Sequence, residues 1–359
     1  MNSGLEDVVA ANTVLSDVDG ANGRLIVRGI SLDDLVSRRY EDVLALLWDG
    51  FFPLPADLAP ALGAARAAIF AHVAAADPAL LALPPVDAMR ALLARLDDGE
   101  DGDSALRLVA APAVFIPALL RRRQGLDAIA PDAARGHAAD ILAMLTGAVP
   151  TSQQAAALDR YLVTVADHGL NASTFAARVI ASTRAGLTSS VLAALSALKG
   201  PLHGGAPGPV LDMLDAAGSP EAAPGWIEAE LARGERLMGF GHRIYRVRDP
   251  RADALKAAVR LLAEAGAIDP ARLALAEALE GSALAQLKAK KPDRPLDTNV
   301  EFYTALLLEA LGFPREAFTG VFAMGRVGGW IAHAREQAET GRLIRPLSVY
   351  IGPEPQQAA

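Results

Sequence analysis

Two histidines set among glycines, with a glutamate downstream, are the residues of this chain best suited to carry out chemistry. His203 lies in Gly-Pro-Leu-His-Gly-Gly-Ala, His242 in Met-Gly-Phe-Gly-His-Arg-Ile-Tyr, and Glu301 in Asp-Thr-Asn-Val-Glu-Phe-Tyr. Glycines let the backbone approach a ligand closely. Two imidazoles and a carboxylate can deprotonate a weak carbon acid, hold its enolate and polarise an electrophilic carbonyl. Because the chain has only six histidines in 359 residues, we expect these two to serve a reaction.

Each of the three residues also has a purely structural interpretation. Either histidine could lie in an ordinary surface loop. The pattern Thr298-x-x-Glu301 before an apolar run is a capping box, in which the glutamate bonds back to the start of its helix. Taken alone, that pattern favours a capping role for Glu301. Only the presence of His203 and His242 in the same chain indicates catalysis.

Two arginines stand in settings that need an anion. Asp249-Pro250 predicts the N-cap and first residue of a helix, so Arg251 lies in a first turn, where the helix dipole disfavours a cation. An anionic ligand there would be attracted by both the dipole and the guanidinium; an exposed arginine is the alternative. Arg326 lies in an apolar, glycine-rich helix and needs either a bound anion or a structural ion pair.

The remaining histidines give weaker signals. His168, in Asp-His-Gly-Leu-Asn-Ala-Ser-Thr, falls between two predicted helices, where a buried, hydrogen-bonded histidine is the default. His72, His137 and His333 lie on predicted helices without a motif, and we interpret them as structural. The sequence contains no Walker A motif, no HExxH motif and no cluster typical of a metal site.

The composition predicts a helical protein that binds neither nucleic acid nor membrane. Hydrophobic residues make up 52% of the chain and aromatic residues 5%, which suits closely packed helices better than a sheet. A net charge of −8 argues against a nucleic-acid partner, although local arginines can still bind small anions. The absence of cysteine excludes disulfides and thiolate sites. Without a signal peptide or a run of about 18 apolar residues, we expect a cytoplasmic protein.

Helical spacing of apolar residues dominates the chain from about residue 32 onward. Before it, 20–30 predicts a turn and a short strand, and 345–351 predicts a short strand or an extended arm that docks on a partner subunit. Clusters of glycine and proline separate the helices. The predicted helices are roughly 32–50, 56–76, 86–96, 104–122, 132–147, 152–166, 171–185, 188–199, 207–217, 221–234, 250–265, 270–289, 299–311 and 324–340.

The fold class expected is therefore all-α, with two domains. Glycine- and proline-rich joints near 200–209 and 292–298 bracket the smaller one. We expect 1–200 to form the first part of a large helical domain, 201–298 a smaller hinged domain, and 299–359 a return to the large domain followed by a C-terminal arm.

Taken together, the motifs resemble those of the citrate synthase family over nearly the whole chain. Gly-Pro-Leu-His-Gly-Gly-Ala and Gly-Phe-Gly-His-Arg-x-Tyr-x-x-x-Asp-Pro-Arg-Ala on one chain form a highly specific combination. The match begins at Gly4, passes through Asn22-Gly23-Arg24-Leu25 and ends near Pro346. The resemblance implies a two-domain helical homodimer that condenses acetyl-CoA with oxaloacetate and releases citrate and free CoA.

The resemblance also implies roles for individual residues. His203 would hydrogen-bond the thioester oxygen of acetyl-CoA, His242 would polarise and protonate the oxaloacetate carbonyl, and Glu301 would be the base. No cofactor is expected to be bound permanently, since acetyl-CoA or propionyl-CoA is a co-substrate. The residues that match ligands of oxaloacetate or citrate are His168, Arg251, Arg326 and, reaching across the dimer, Arg345. The residues that match cations near the CoA phosphates are Arg246 and Arg294.

Two departures from the family pattern leave alternatives open. The family's base is an aspartate, and the extra methylene of Glu301 moves the carboxylate by roughly 1 Å, which can lower the rate about a hundredfold. Gly169 replaces an acidic residue that usually follows the motif's histidine. A 2-methylcitrate synthase using propionyl-CoA stays open, because one methylene is worth only about 1–3 kcal/mol of discrimination. So does a weakly active paralogue that binds CoA or a dicarboxylate.

Overall fold

The computed structural model confirms an all-α fold with one small sheet. It describes residues 4–5, 8–74, 77–203, 207–242, 244–292 and 296–353. The strands are β1 (Ser16–Asp19), β2 (Arg24–Val27) and β3 (Ile30–Ser31). The helices are α1 (Leu32–Leu35), α2 (Tyr40–Trp48), α3 (Leu58–Ala74), α4 (Pro85–Leu93), α5 (Gly102–Arg123), α6 (His137–Thr146), α7 (Ser152–Val165), α8 (Ala172–Ala181), α9 (Leu187–Leu198), α10 (Pro207–Ala217), α11 (Ala223–Ala232), α12 (Pro250–Glu264), α13 (Pro270–Lys290), α14 (Val300–Ala310) and α15 (Phe318–Thr340). Short 3₁₀ helices span Pro78–Ala82 and Arg315–Ala317.

Helix α5 is the central core helix. Its N-cap, Asp101, accepts a hydrogen bond from the backbone N–H of Ser104 at 2.8 Å, and three arginines in its last turn complement the helix dipole. By length and composition α5 could cross a membrane, but 83% of its most apolar stretch is buried inside the fold. That burial is typical of a core helix.

Helix α15 packs on α5, α7, α8 and α9, and glycines set how closely it approaches. A Cβ on Gly325 would lie 3.0 Å from the carbonyl oxygen of Leu162, and one on Gly329 would lie 2.3 Å from that of Ala166. The long C-terminal helix therefore lies directly against the end of α7, which leads into His168.

Some predicted boundaries were wrong. The helix predicted over 32–50 is two helices, because the N–H of Tyr40 bonds to the Asp159 carboxylate on α7 at 3.1 Å and a new helix begins there. The last helix begins at Phe318 rather than 324; its Gly320 packs against Ile116, whose Cδ1 atom would lie 2.5 Å from a Cβ. The 3₁₀ helix Pro78–Ala82 was not predicted.

The predicted turn and strand near 20–30 is a three-stranded antiparallel sheet in the order β1-β2-β3. The turn between β1 and β2 lies against the segment that follows His242. There the N–H of Arg246 donates to the Gly20 carbonyl at 2.8 Å, and a Cβ on Gly20 would lie 2.4 Å from the carbonyl oxygen of Ile244. The sheet therefore supports the His242 segment.

Residues 341–353 have no helix or strand, so the short strand that was one alternative for 345–351 is absent, and the docking arm stays a prediction. Leu347 is 98% exposed and Ile351 93% exposed. The arm thus carries apolar side chains that nothing in the described chain covers.

Candidate active site

Six of the nine candidate residues lie around one space. The ring centroids of His168 and His242 are 5.7 Å apart. Burial lowers the pKa of His168 well below its usual value, and four of the other candidates add to that effect: Arg251, Arg326, His242 and His203. The charge of Arg251 also acts on the sixth candidate, Glu301.

Two candidates, Arg246 and Arg345, lie elsewhere. Arg246 is exposed on the segment after His242, and Arg345 is exposed in the C-terminal arm. Arg294 lies outside the described residues.

His168 occupies the junction of α7 and α8. It is buried, and its Nε2 lies 3.1 Å from the hydroxyl of Tyr245. Gly169 follows with φ of 59° and donates its N–H to Ser16 Oγ at 3.0 Å. This left-handed conformation favours glycine, and a Cβ would lie 3.2 Å from Val18. The local backbone thus explains why glycine suits this position.

A buried network supports this junction. Arg178 donates to Nδ1 of His333 at 2.8 Å, so the ring hydrogen is on Nε2, which faces Asp167 at 3.1 Å. Burial opposes ionisation of Asp167, but His333 and a hydrogen bond from Ser16 hold the pKa of its carboxyl below the usual value. His333 is structural, as predicted, and it fixes the residue next to His168.

His203 is positioned by the start of α8. Its Nε2 lies 2.8 Å from Ser173 Oγ. That hydroxyl accepts from the indole N–H of Trp330 at 3.1 Å and donates to Asn171 Oδ1 at 2.7 Å. Asn171 caps α8, accepting from the N–H groups of Ser173 and Thr174. Burial, and then the charge of Arg326, lower the pKa of His203 to about 4, so the imidazole is neutral near pH 7.

The glycines around His242 shape its loop. Gly239 and Gly241 have φ of 83° and 79°, and the N–H of Gly241 bonds to Asp297 at 2.7 Å. Nδ1 of His242 accepts the N–H groups of Ile244 and Tyr245 at 3.1 and 3.2 Å. The ring hydrogen must therefore be on Nε2. Burial, and then Arg251, lower the pKa of His242 to about 4.

Asp249 ties this loop to the helix that carries Glu301. As predicted, it caps α12, with Pro250 as the first helical residue. Its carboxylate accepts from Arg251 Nε at 3.0 Å and Nη2 at 2.8 Å, and also from the N–H of Val300 at 3.2 Å. The predicted first-turn arginine is therefore buried and paired, and Nη2 also faces His242.

Glu301 is not a cap. The N-cap of α14 is Asn299, which accepts the N–H of Glu301 at 3.0 Å, while the Thr298 hydroxyl donates to Glu280 at 2.8 Å. The predicted capping box is therefore wrong, because Thr298 is drawn into a tertiary hydrogen bond. The buried Oε2 of Glu301 has no hydrogen-bond partner among the described residues. Burial raises the pKa of Glu301 to about 7, although Arg251 opposes the shift.

Arg326 is buried without a carboxylate partner among the described residues. Its Nε donates to the Val165 carbonyl, and its Nη2 has no partner in the described part of the chain. Burial lowers the pKa of its guanidinium to about 10, against the opposing charge of Asp167. Of the two predicted alternatives, the structural ion pair is absent from the described residues, so the free Nη2 is available to a bound anion.

Sequence reasoning did not assign three residues that position the site: Asn171, Ser173 and Tyr245. The N-cap role of Asp249 was predicted, and Asn171 carries the same N-cap pattern at the start of α8. Nothing in the spacing indicated the contacts of Ser173 with His203 or of Tyr245 with His168.

The arrangement combines a carboxylate whose Oε2 has no partner among the described residues with neutral imidazoles and buried guanidinium groups. The carboxylate can accept a proton, the imidazoles can donate to oxygen, and the guanidinium groups can hold carboxylates. Such a site is suited to forming an enolate beside a bound dicarboxylate.

Comparison with known proteins agrees with this chemistry. The family model for the citrate synthase C-terminal domain matches residues 4–347. The chain is 39% identical to a putative citrate synthase 2 of Mycobacterium tuberculosis, covering 98% of this chain and 93% of that protein. It is 38% identical to a citrate synthase of Haloferax volcanii, covering 98% and 96%, and 37% identical to a 2-methylcitrate synthase of Mycobacterium tuberculosis, covering 99% and 91%.

Solved structures show the same fold. Citrate synthase from Pyrobaculum aerophilum superposes with a TM-score of 0.85 at 35% identity, covering 99% of this chain and 93% of that chain. The citrate synthase of Thermoplasma acidophilum, in a ternary complex with carboxymethyl coenzyme A and oxaloacetate, gives 0.86 at 28% identity, covering 100% and 98%. The chain therefore belongs to the citrate synthase family and is an enzyme of the citrate synthase type.

Proposed function

We propose that this enzyme condenses acetyl-CoA with oxaloacetate and hydrolyses the thioester, giving citrate and free CoA. The observation that carries the proposal is the carboxylate of Glu301, whose Oε2 has no partner in the described part of the chain, in a space shared with neutral histidines and with Arg251 and Arg326. A pKa of about 7 suits a base that removes a proton from carbon near neutral pH. Planar guanidinium groups suit the two carboxylates of oxaloacetate.

In the proposed first step, Glu301 takes a proton from the methyl carbon of acetyl-CoA while His203 donates a hydrogen bond to the thioester oxygen. For Nδ1 of His203 to carry that hydrogen, Nε2 must accept one from the Ser173 hydroxyl, 2.8 Å away, which then turns from Asn171 Oδ1, its acceptor at 2.7 Å in the free enzyme. The hydroxyl of Ser173 thereby selects the imidazole tautomer. The negative charge that develops on the thioester oxygen is then met by a fixed donor in a buried site.

In the second step, the enolate carbon attacks the ketone carbon of oxaloacetate and a carbon–carbon bond forms. His242 polarises the ketone oxygen through Nε2–H and gives that proton to the resulting alkoxide. Water then hydrolyses the citryl thioester, so the carbon–sulfur bond breaks and free CoA leaves. His168, Arg251 and Arg326 hold the oxaloacetate carboxylates and carbonyl in this scheme.

We further propose that 201–298 form a smaller domain hinged on 1–200 and 299–359. Helices α10, α11 and α13 pack on one another, which supports the smaller domain. Helix α12, which carries Arg251, packs on α7 and α14 of the large domain and would therefore form the contact between the two domains. Closure over oxaloacetate would bring the acyl-CoA site together and exclude water. Arg246 and Arg294 are proposed to contact the CoA phosphates, without any permanently bound cofactor. An Arg246→Ala variant should raise KM for acetyl-CoA and leave KM for oxaloacetate unchanged.

We propose that the C-terminal arm, residues 341–353, packs on a second copy of the chain in a homodimer. Arg345 would then complete the partner's site. The arm's exposed apolar side chains, Leu347, Val349, Tyr350 and Ile351, support this packing because a second copy would cover them. Removing 342–359 should shift the mass in solution from dimer toward monomer. Arg345→Gln should leave the dimer intact and raise KM for oxaloacetate. A role in the tricarboxylic acid cycle and a cytoplasmic location belong to the same proposal.

Propionyl-CoA is the second candidate acyl donor, giving 2-methylcitrate. It is favoured by the near-equal identity to the relatives named citrate synthase and 2-methylcitrate synthase, 38% and 37%. The deciding experiment measures release of free thiol from each acyl-CoA with oxaloacetate. Faster release from acetyl-CoA supports the proposal, and faster release from propionyl-CoA supports the second candidate. No release from either identifies a paralogue that only binds CoA or a dicarboxylate.

A further inference from the structure

Tyr161 is a fully buried tyrosine on α7 whose hydroxyl has no hydrogen-bond partner among the described residues. A buried polar group without a partner is destabilising, and native proteins contain few of them. None of the roles assigned above uses this hydroxyl. It therefore needs an explanation.

Tyr161 lies on the part of α7 that supports Arg326. Val165, one helical turn later on the same face, accepts the hydrogen bond from Arg326 Nε. Between them, Leu162 is in close contact with Gly325, the neighbour of Arg326 on α15. The guanidinium of Arg326 thus packs against the segment 161–165.

Charged groups of the site act on the pKa of the Tyr161 hydroxyl. Its pKa is raised mainly by burial, is lowered by the charge of Arg326 and is raised further by Glu301. In turn, Tyr161 acts on Arg326. Both Tyr161 and Arg326 have an N–H or O–H donor without a partner among the described residues. Two unsatisfied donors in one buried place call for an acceptor with several lone pairs, such as a carboxylate.

We propose that Tyr161 is a further substrate-binding residue, whose O–H donates, together with Nη2 of Arg326, to one carboxylate of the dicarboxylate substrate. This inference rests on the proposed function, because it takes oxaloacetate as the ligand. The phenol then contributes to recognition of the dicarboxylate without taking part in proton transfer.

The test is a Tyr161→Phe variant, which removes one oxygen atom and keeps the ring. Titration with oxaloacetate in a calorimeter, without acyl-CoA, should show affinity lowered about 10- to 100-fold, as expected for a hydrogen bond to a charged group. KM for oxaloacetate should rise to match, while KM for acyl-CoA and the pH dependence of kcat stay as in the parent. The thermal midpoint of the free variant should equal or exceed that of the parent, because an unsatisfied hydroxyl is removed.

Tyr40→Phe is the matched control. Tyr40 is also buried near Arg326, but its hydroxyl already donates to the carbonyls of Met324 and Gly325 at 3.0 and 2.8 Å. This variant should lose thermal stability and bind oxaloacetate within about threefold of the parent, a loss below one ordinary neutral hydrogen bond.

The inference would be overturned if Tyr161→Phe bound oxaloacetate as tightly as the parent. It would also be overturned if Tyr161→Phe kept its affinity but showed a shifted pH dependence of kcat, or if Tyr161→Phe and Tyr40→Phe lost affinity equally. The second result would assign the hydroxyl to Glu301, and the third would make it structural. Failure of the proposed function is separable, since the parent would then release no thiol whatever the titrations show.

Discussion

Nη2 of Arg251 lies 3.2 Å from Nε2 of His242, although each of these nitrogens carries a hydrogen. His242 cannot place its hydrogen on Nδ1, which accepts two backbone N–H groups. Two donors therefore point into one space, and an oxygen acceptor between them would satisfy both. In the proposed reaction that oxygen belongs to oxaloacetate.

Replacing His242 by Gln should remove the acid that protonates the ketone oxygen, since a glutamine amide can donate a hydrogen bond but cannot give up its proton. We expect kcat for thiol release to fall by about 10²–10⁴-fold, the usual contribution of general acid catalysis. His72→Gln is the control, because His72 lies on α3 and outside the site. If kcat of His242→Gln fell by less than about threefold, His242 would not be the general acid.

The pH dependence of the rate should follow ionisation of Glu301. Burial raises its pKa to about 7, so the base is protonated and inactive below that pH, and kcat/KM should rise through about pH 7. His203 and His242, with pKa values lowered to about 4, remain neutral over that range. An acid limb at the ordinary glutamate pKa would contradict the assignment.

The same shift predicts a stability change with a definite sign. The pKa of Glu301 is raised on folding, from 4.5 to about 7, so its contribution is fully present below pH 4.5 and is lost as the pH rises through 7. Glu301→Gln should therefore be more stable than the parent at pH 8, by about 1–3 kcal/mol, and similar at pH 4.5. Denaturant unfolding at both pH values measures this.

Glu316→Gln is the control for the stability measurement, because Glu316 is exposed. It should track the parent at both pH values. If Glu301→Gln also showed no gain at pH 8, Glu301 would carry no burial penalty in the folded protein.

Ser173→Ala should impair His203 without removing it. Ser173 Oγ lies 2.8 Å from Nε2 of His203, and its loss frees the imidazole to adopt the tautomer that cannot donate to the thioester. We expect kcat to fall about 10- to 100-fold, since the loss is confined to one imidazole donor of the transition state. Activity equal to the parent would show that Ser173 does not select the tautomer.

The fold class could be predicted because it depends on local patterns, while the candidate residues came from motifs together with the resemblance to the citrate synthase family. Helical spacing, N-caps such as Asp249 and the glycine-flanked histidines are all visible along the chain. Tertiary contacts could not be predicted in this way. The bond from Tyr40 to Asp159 divides a predicted helix, and the bond from Thr298 to Glu280 removes a predicted capping box.

The same limit applies within the site. The sequence indicated that Arg326 needs an anion, but only the structure places its Nη2 without a protein partner among the described residues. The oddity of Gly169 has a local cause, its left-handed φ of 59°, which a list of residue types does not reveal. Distances between distant segments are set by packing, so they require the folded chain.

The central claim is that Glu301 is the base, and the rate of thiol release by Glu301→Gln tests it most directly. The amide keeps the size of the side chain but cannot accept the proton. We predict that kcat with oxaloacetate and the preferred acyl-CoA falls at least about 100-fold, while Glu301→Asp, which keeps a carboxylate about 1 Å away, retains more activity than Glu301→Gln. A Glu301→Gln variant that turns over at the rate of the parent would contradict the account.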